Sequence, residues 1–125
     1  MNKIVINISM IIFLVTLFSG CVASIDTAIG KYNKVAPKIN LGDSKEKVLS
    51  LLLPTQEGLD PEYAKLPEKY LKDGKRYEIY YMRSLRQADG FTTDDEFTPY
   101  MFINNKLESI GWTGIGGASG KGIKR

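Results

Sequence analysis

Histidine is absent from this sequence, and cysteine occurs once, as Cys21. Without imidazole there is no Ser-His-Asp or Cys-His catalytic pair, no imidazole metal ligand and no histidine switch near neutral pH. One thiol cannot close an internal disulfide, so the fold must be held by its apolar core. Charge of one sign is also scarce. The chain carries 17 basic and 14 acidic residues, and between Lys31 and Trp112 the two signs balance. Three of the basic residues, Lys121, Lys124 and Arg125, crowd into the C-terminus. A neutral interior stretch has no basic stripe of the kind that binds nucleic acid, and no nucleic-acid partner is expected. The longest apolar run, Ile4 to Phe18, is interrupted by Asn7, Ser9 and Thr16. It falls short of the ~20 apolar residues that cross a ~30 Å hydrocarbon core.

What is present at the N-terminus is a leader. Lys3 precedes the apolar run, and the run ends in Phe18-Ser19-Gly20-Cys21. A positive flank, a short apolar core and small residues before a processing site are the parts of a secretory signal. The tetrad resembles a lipobox, where a diacylglyceryl group joins the cysteine thiol, the chain is cut between Gly20 and Cys21, and the new N-terminus is acylated. Residues 1–20 are then a lipoprotein signal peptide, and the covalent lipid on Cys21 is the only prosthetic group implied. Two other readings of the segment are a secreted protein cut after Ala23 or Ser24 and an uncleaved anchor. The lipoprotein reading alone accounts for the offset of the lone cysteine. Cleavage there leaves roughly a hundred residues, which is one small domain.

Val22 to Pro37 shows little sustained period and is expected to be a tether, residues 21–37, with at most a short helical turn. The first firm element is a helix from Ser44 to about Leu53. Asp43 and Ser44 are both N-cap residues, Val48, Leu51 and Leu52 recur at helical spacing, and Pro54 ends the element. Asp60-Pro61-Glu62 is a second helix start, followed by a weaker stripe through Tyr63, Leu66, Tyr70 and Leu71. Asp73-Gly74 is a turn. Strands are expected over Lys75 to Ser84, Phe97 to Ile103 and Lys106 to Trp112, the last two joined by Asn104-Asn105 as a two-residue hairpin turn. Leu85 to Glu96 reads as a long polar connection, and the glycine-rich residues 114–125 as a flexible basic tail. Helices followed by strands predict an α+β fold, with two short helices packed on one face of a three-stranded antiparallel sheet.

The run Gly42-Asp43-Ser44-Lys45-Glu46-Lys47-Val48-Leu49-Ser50-Leu51-Leu52-Leu53-Pro54-Thr55 resembles the capped helix of the BamE-like (SmpA/OmlA) family of bacterial outer-membrane lipoproteins. Phe102-Ile103-Asn104-Asn105-Lys106-Leu107-Glu108-Ser109-Ile110-Gly111-Trp112 resembles the closing hairpin of the same family, and the lipobox agrees. The same ααβββ plan is similar to that of β-lactamase-inhibitor-like modules. The resemblance implies a domain over residues 38–113, a lipid anchor in the outer membrane and a domain facing the periplasm. It also implies a protein-binding accessory role, in outer-membrane protein assembly or envelope integrity. Val22 follows the cysteine, so no Asp retention signal occupies that place.

Sharper motifs give way on inspection. Gly114 to Gly122 fails the spacing of a phosphate loop, since Ile115 and Gly122 stand where Gly and Ser or Thr are needed. Asp94-Asp95-Glu96 lacks the ligand spacing and the glycine of a calcium loop, and is expected to be a solvated loop. Both faces of the strand at Lys75 to Ser84 carry large groups, which reads as ordinary sheet surface covered by the Leu85 to Glu96 connection, or alternatively makes Tyr80, Met82 and Tyr100 candidates for an exposed partner-binding face. The leading expectation is a non-enzymatic envelope lipoprotein with a protein partner and no small-molecule substrate. A secretion-system or inhibitor-type binding lipoprotein is the alternative, and an enzyme would have to rely on carboxylate, lysine or tyrosine chemistry. Cys21→Ser is expected to release soluble protein or leave uncleaved precursor, checked by membrane fractionation and mass measurement. Mature-size, membrane-bound Cys21→Ser protein would overturn the anchor.

Overall fold

The structure is a computed structural model that describes residues 25–87 and 91–115. The expected signal peptide, the expected cleavage position at Gly20 and Cys21, and the expected tail from 116 onward lie outside the described residues. Among the described residues the chain forms two α-helices and one four-stranded antiparallel sheet, an α+β arrangement. None of these helices is long and apolar enough to cross a membrane.

The first helix, α1 (Ile25–Val35), occupies the stretch expected to be a tether. Ile25, Ala28, Tyr32 and Val35 recur at helical spacing, and Ala28 and Tyr32 are buried. Asp26 in the first turn and Lys34 in the last complement the helix dipole. The spacing was hidden by the Gly30 and Lys31 between its apolar positions, so the folded unit starts earlier than residue 38. The second helix, α2 (Lys45–Leu52), is the one the cap signals predict. Ser44 is its N-cap, its Oγ accepting from the Lys47 N–H at 3.2 Å. Asp43 instead accepts from the Asn40 N–H at 2.9 Å and pairs with Lys47 at 3.2 Å. The Asn40 hydrogen bond foremost, with Lys47, holds the Asp43 carboxyl below its ordinary pKa. Past Leu52 the chain tightens into a 3-10 turn, Leu53–Gln56, with Pro54 in its first positions.

The second predicted helix reduces to a single 3-10 turn, Pro61–Tyr63, capped by Asp60. Pro67 stops any helical continuation. Residues beyond it form a strand, which makes the sheet four-stranded where three strands were expected. The strands are β1 (Glu68–Lys72), β2 (Lys75–Arg83), β3 (Phe97–Ile103) and β4 (Lys106–Ile110), paired in that order. Asp73 and Gly74, with φ of 52° and 74°, make a two-residue turn, and Asn104 and Asn105, with φ of 49° and 67°, make another. β1 was missed because all five of its residues are exposed, so it shows no alternation of apolar and polar side chains.

Both faces of the sheet are apolar. One packs Met82, Tyr100, Phe102 and Leu107 against Tyr32 of α1, Ile39, and Val48 and Leu52 of α2. Inside it the Tyr32 and Tyr100 hydroxyls hydrogen-bond at 2.7 Å, their rings edge to face at 6.4 Å. Burial, helped by that bond, pushes the Tyr100 pKa up. At the margin of this face Lys45 reaches both Glu78 oxygens, at 2.9 and 3.2 Å, tying α2 to β2. Burial acts to raise the Glu78 pKa, but the hydrogen bond and charge of Lys45, with smaller help from Tyr80 and Lys69, outweigh it and hold it low. The Glu78 contribution to stability is therefore complete above the usual carboxylate range and is lost as pH falls through the lowered value.

The opposite face gathers Ile79, Tyr81, Phe97 and Met101, with Trp112 and Ile115 packed on it. Trp112 donates its indole N–H to the Phe97 carbonyl at 2.9 Å, and Thr113–Ile115 form a 3-10 turn. Any side chain at Gly114 would meet Ser109, so the first two residues assigned to the flexible tail belong to the fold. Tyr32→Ala is expected to lower the unfolding free energy by about 3–5 kcal/mol, because it opens the core under α1 and strands the Tyr100 hydroxyl. Lys31→Ala, on the exposed side, should stay within about 0.5 kcal/mol. Equal urea midpoints for the two variants would return this segment to a tether.

Candidate functional site

The expected partner-binding residues lie in the wrong place to meet a partner. Met82 is 3% exposed and Tyr100 1%, both inside the core between sheet and helices. Tyr80 is half-buried against the same cluster, its ring edge to face with Phe102 at 5.8 Å. The alternation along β2 was legible, but not which elements cover each face. α1, unexpected from the sequence, covers this one.

The chemically richest place is the end of the sheet where β2 leaves and β3 begins. Arg83 closes β2, opposite Phe97 in the register, and Glu96 ends a 3-10 turn, Asp94–Glu96, just before β3. Their side chains are 1% and 0% exposed and form an ion pair, Arg83 Nη2 to Glu96 Oε2 at 2.8 Å. Glu96 Oε2 also accepts from the Gln87 N–H at 2.8 Å, and Oε1 from the Thr93 N–H at 2.8 Å. Arg83 Nη1 donates to the Tyr63 carbonyl and to Thr92 Oγ1, each at 3.2 Å, and the guanidinium lies 5.4 Å from the Phe97 ring centre. The Ser84 and Leu85 N–H groups donate to the Glu96 carbonyl at 3.1 and 3.0 Å.

Asp94-Asp95-Glu96 is thus not the solvated loop it was expected to be. Asp94 pairs with Lys65 at 3.1 Å, Asp95 accepts from Thr93 and Gln87 side chains, and Glu96 is wholly buried. One signal was available. Thr93-Asp94-Asp95-Glu96 spells a capping box, and the structure closes it in both directions. Nothing local marks Arg83 as the other half of a buried pair, because its partner is brought in by the β2–β3 pairing.

Above this pair lies an open cavity of about 460 Å³. Arg83 and Glu96 form part of its lining, Tyr63, Phe91 and Thr92 line it further, and Arg86 and Ile25 complete it at the α1 side. Arg86 reaches Asp26 of α1 at 3.2 Å, an exposed pair. The Glu62 carboxylate hydrogen-bonded to Tyr63 raises that hydroxyl's pKa. Both oxygens of Glu96 and both terminal nitrogens of Arg83 are engaged in local hydrogen bonds. The pair therefore pins the ends of the connection between β2 and β3 more than it offers reactive groups.

No protein-family model, no curated protein and no solved structure matches this chain.

Glu96→Gln is expected to cost about 3–5 kcal/mol of stability, because it leaves the Arg83 guanidinium buried without a counter-charge. The combined Arg83→Met, Glu96→Leu variant should recover most of that loss. Denaturant midpoints measure both, and a combined variant no more stable than Glu96→Gln would contradict the buried-pair account.

Proposed function

We propose that this chain is a lipid-anchored lipoprotein of the bacterial envelope whose folded domain acts as a small protein-binding accessory module. The observation that carries the reading is the position of the lone cysteine, directly after a basic flank, a short apolar run and two small residues. A single acyl chain holds a protein only marginally at a bilayer, whereas a fully processed Cys21 bears three and would hold the domain permanently. Residence in the outer membrane, with the domain facing the periplasm, follows the resemblance of the Gly42 to Thr55 helix and the Phe102 to Trp112 hairpin to the BamE-like family. So does a role in outer-membrane protein assembly or envelope integrity.

Binding rather than catalysis is supported by how the charged groups are used. The buried ones are ion-paired, Glu96 with Arg83 and Glu78 with Lys45, leaving the Arg83 Nε without a hydrogen-bond partner among the described residues, and Asp94 is paired with Lys65. Since both sheet faces are covered, partner contact falls to the rims. The exposed apolar groups there are Leu66 and Leu71 beside the β1 edge, and Leu85 and Phe91 beside the cavity. Crosslinking in intact cells followed by purification of the full chain from membranes tests the reading. Recovery of outer-membrane assembly subunits, lost in Cys21→Ser cells, is the expected result. Secretion components in their place would favour the alternative, a secretion-system module, and recovery from the soluble fraction alone would overturn the proposal.

A further inference from the structure

The two edges of the sheet are treated differently. Along β4 the segment before α2 closes the edge. Gly42 N–H donates to the Leu107 carbonyl at 2.8 Å, Leu107 N–H to the Asp43 carbonyl at 2.9 Å, and Lys45 N–H to the Asn105 carbonyl at 2.8 Å. Along β1 no strand among the described residues pairs with the outer side. An open edge is a row of unpaired backbone groups waiting for another strand.

The direction of those groups follows from the turn. A two-residue turn at Asp73-Gly74 makes Lys72 and Lys75 exchange both backbone bonds, and the pattern alternates from there. Glu68, Tyr70 and Lys72 point their backbone groups toward β2, so Lys69 and Leu71 point theirs outward. The Arg76 carbonyl accepting from the Asn104 N–H at 2.9 Å, on the far side of β2, confirms the phase. Pro67, the preceding outward position, has no N–H and stops the ladder.

We propose that a second copy of this chain docks on this edge, β1 against β1, as an antiparallel pair with its two-fold axis at Tyr70. Charge order selects the partner and the register. The strand reads Glu68-Lys69-Tyr70-Leu71-Lys72, acidic at one end and basic at the other. Reversed on itself about Tyr70, it sets Glu68 of each copy opposite Lys72 of the other. Lys69 and Leu71 of the two copies then exchange four backbone hydrogen bonds. Slipping by two residues either way loses both charge pairs. Within one chain Lys72 faces the like charge of Lys75, and among the described residues it has no acidic partner. Lys69, whose charge would otherwise guard the edge, leans back over the sheet to within 3.8 Å of Glu78. The pairing does not depend on the anchoring proposal.

The test uses the full chain carrying Tyr70→Cys together with Cys21→Ser, so that position 70 holds the sole thiol, oxidised mildly in total cell extract, and its outcome is separate from lipid attachment. Facing residues at a two-fold non-hydrogen-bonded site lie about 4.5 Å apart, within disulfide reach. Leu71→Cys, offset by two residues from its own copy, lies beyond the ~7 Å limit. Tyr70→Cys is expected to give a covalent dimer and Leu71→Cys to give little. Added Glu68→Lys or Lys72→Glu should each lower the yield roughly tenfold, and the two together should restore it. Equal yields from Tyr70→Cys and Leu71→Cys, or a charge swap that fails to restore, overturn the register. For the unsubstituted chain in detergent, sedimentation is expected to show a dimer that Glu68→Lys weakens roughly tenfold, and a monomer at every concentration overturns the dimer itself.

Discussion

Everything in this fold is arranged around the pairing of β2 with β3, the two central strands. Each carries large side chains on both of its faces, so neither face can be left to water. The helix-covered side takes Met82, Tyr100 and Phe102, and the other takes Ile79, Tyr81, Phe97 and Met101. At roughly 1.5–3 kcal/mol per fully buried large apolar side chain, exposing either set would undo a domain that has no disulfide among its described residues. Two short helices are enough for one side. Trp112 and the turn that follows it cap the other, with the Lys65 ammonium 4.8 Å from the centre of the Tyr81 ring.

The same pairing creates the one fully buried ion pair described. Bringing the end of β2 against the start of β3 puts Arg83 and Glu96 out of water together. Their desolvation is offset because the Glu96 oxygens and the Arg83 terminal nitrogens meet partners from Thr93, Gln87, Tyr63 and Thr92. Such a pair adds little stability over an apolar substitute, yet breaking it is costly. It specifies where the long connection must start and stop, and so shapes the cavity beside it. The proposed contact surfaces lie at the rims because the faces are full.

Legibility varied with how local each signal was. The α2 cap at Ser44, the end of the α-helix before Pro54 and the hairpin at Asn104-Asn105 were readable because each depends on a few adjacent residues. The β1 strand was not. Its exposed residues carry no alternation, and its strand character comes from pairing with β2. For α1 the apolar positions were present but sparse, and they become a helix face through Tyr100, which is far away in the chain. Glu96 shows both cases at once, since its capping box is local and its burial is not.

From its residues alone this chain determined the α+β class, the second helix and the closing hairpin, because cap geometry and turn dihedrals act over a handful of bonds. Only the tertiary structure decided the fourth strand, the first helix, the burial of Tyr100, Met82 and Glu96, and which sheet edge remains open. Those depend on what packs against what. Burial is a property of two surfaces meeting, and neither surface records its partner in its own sequence.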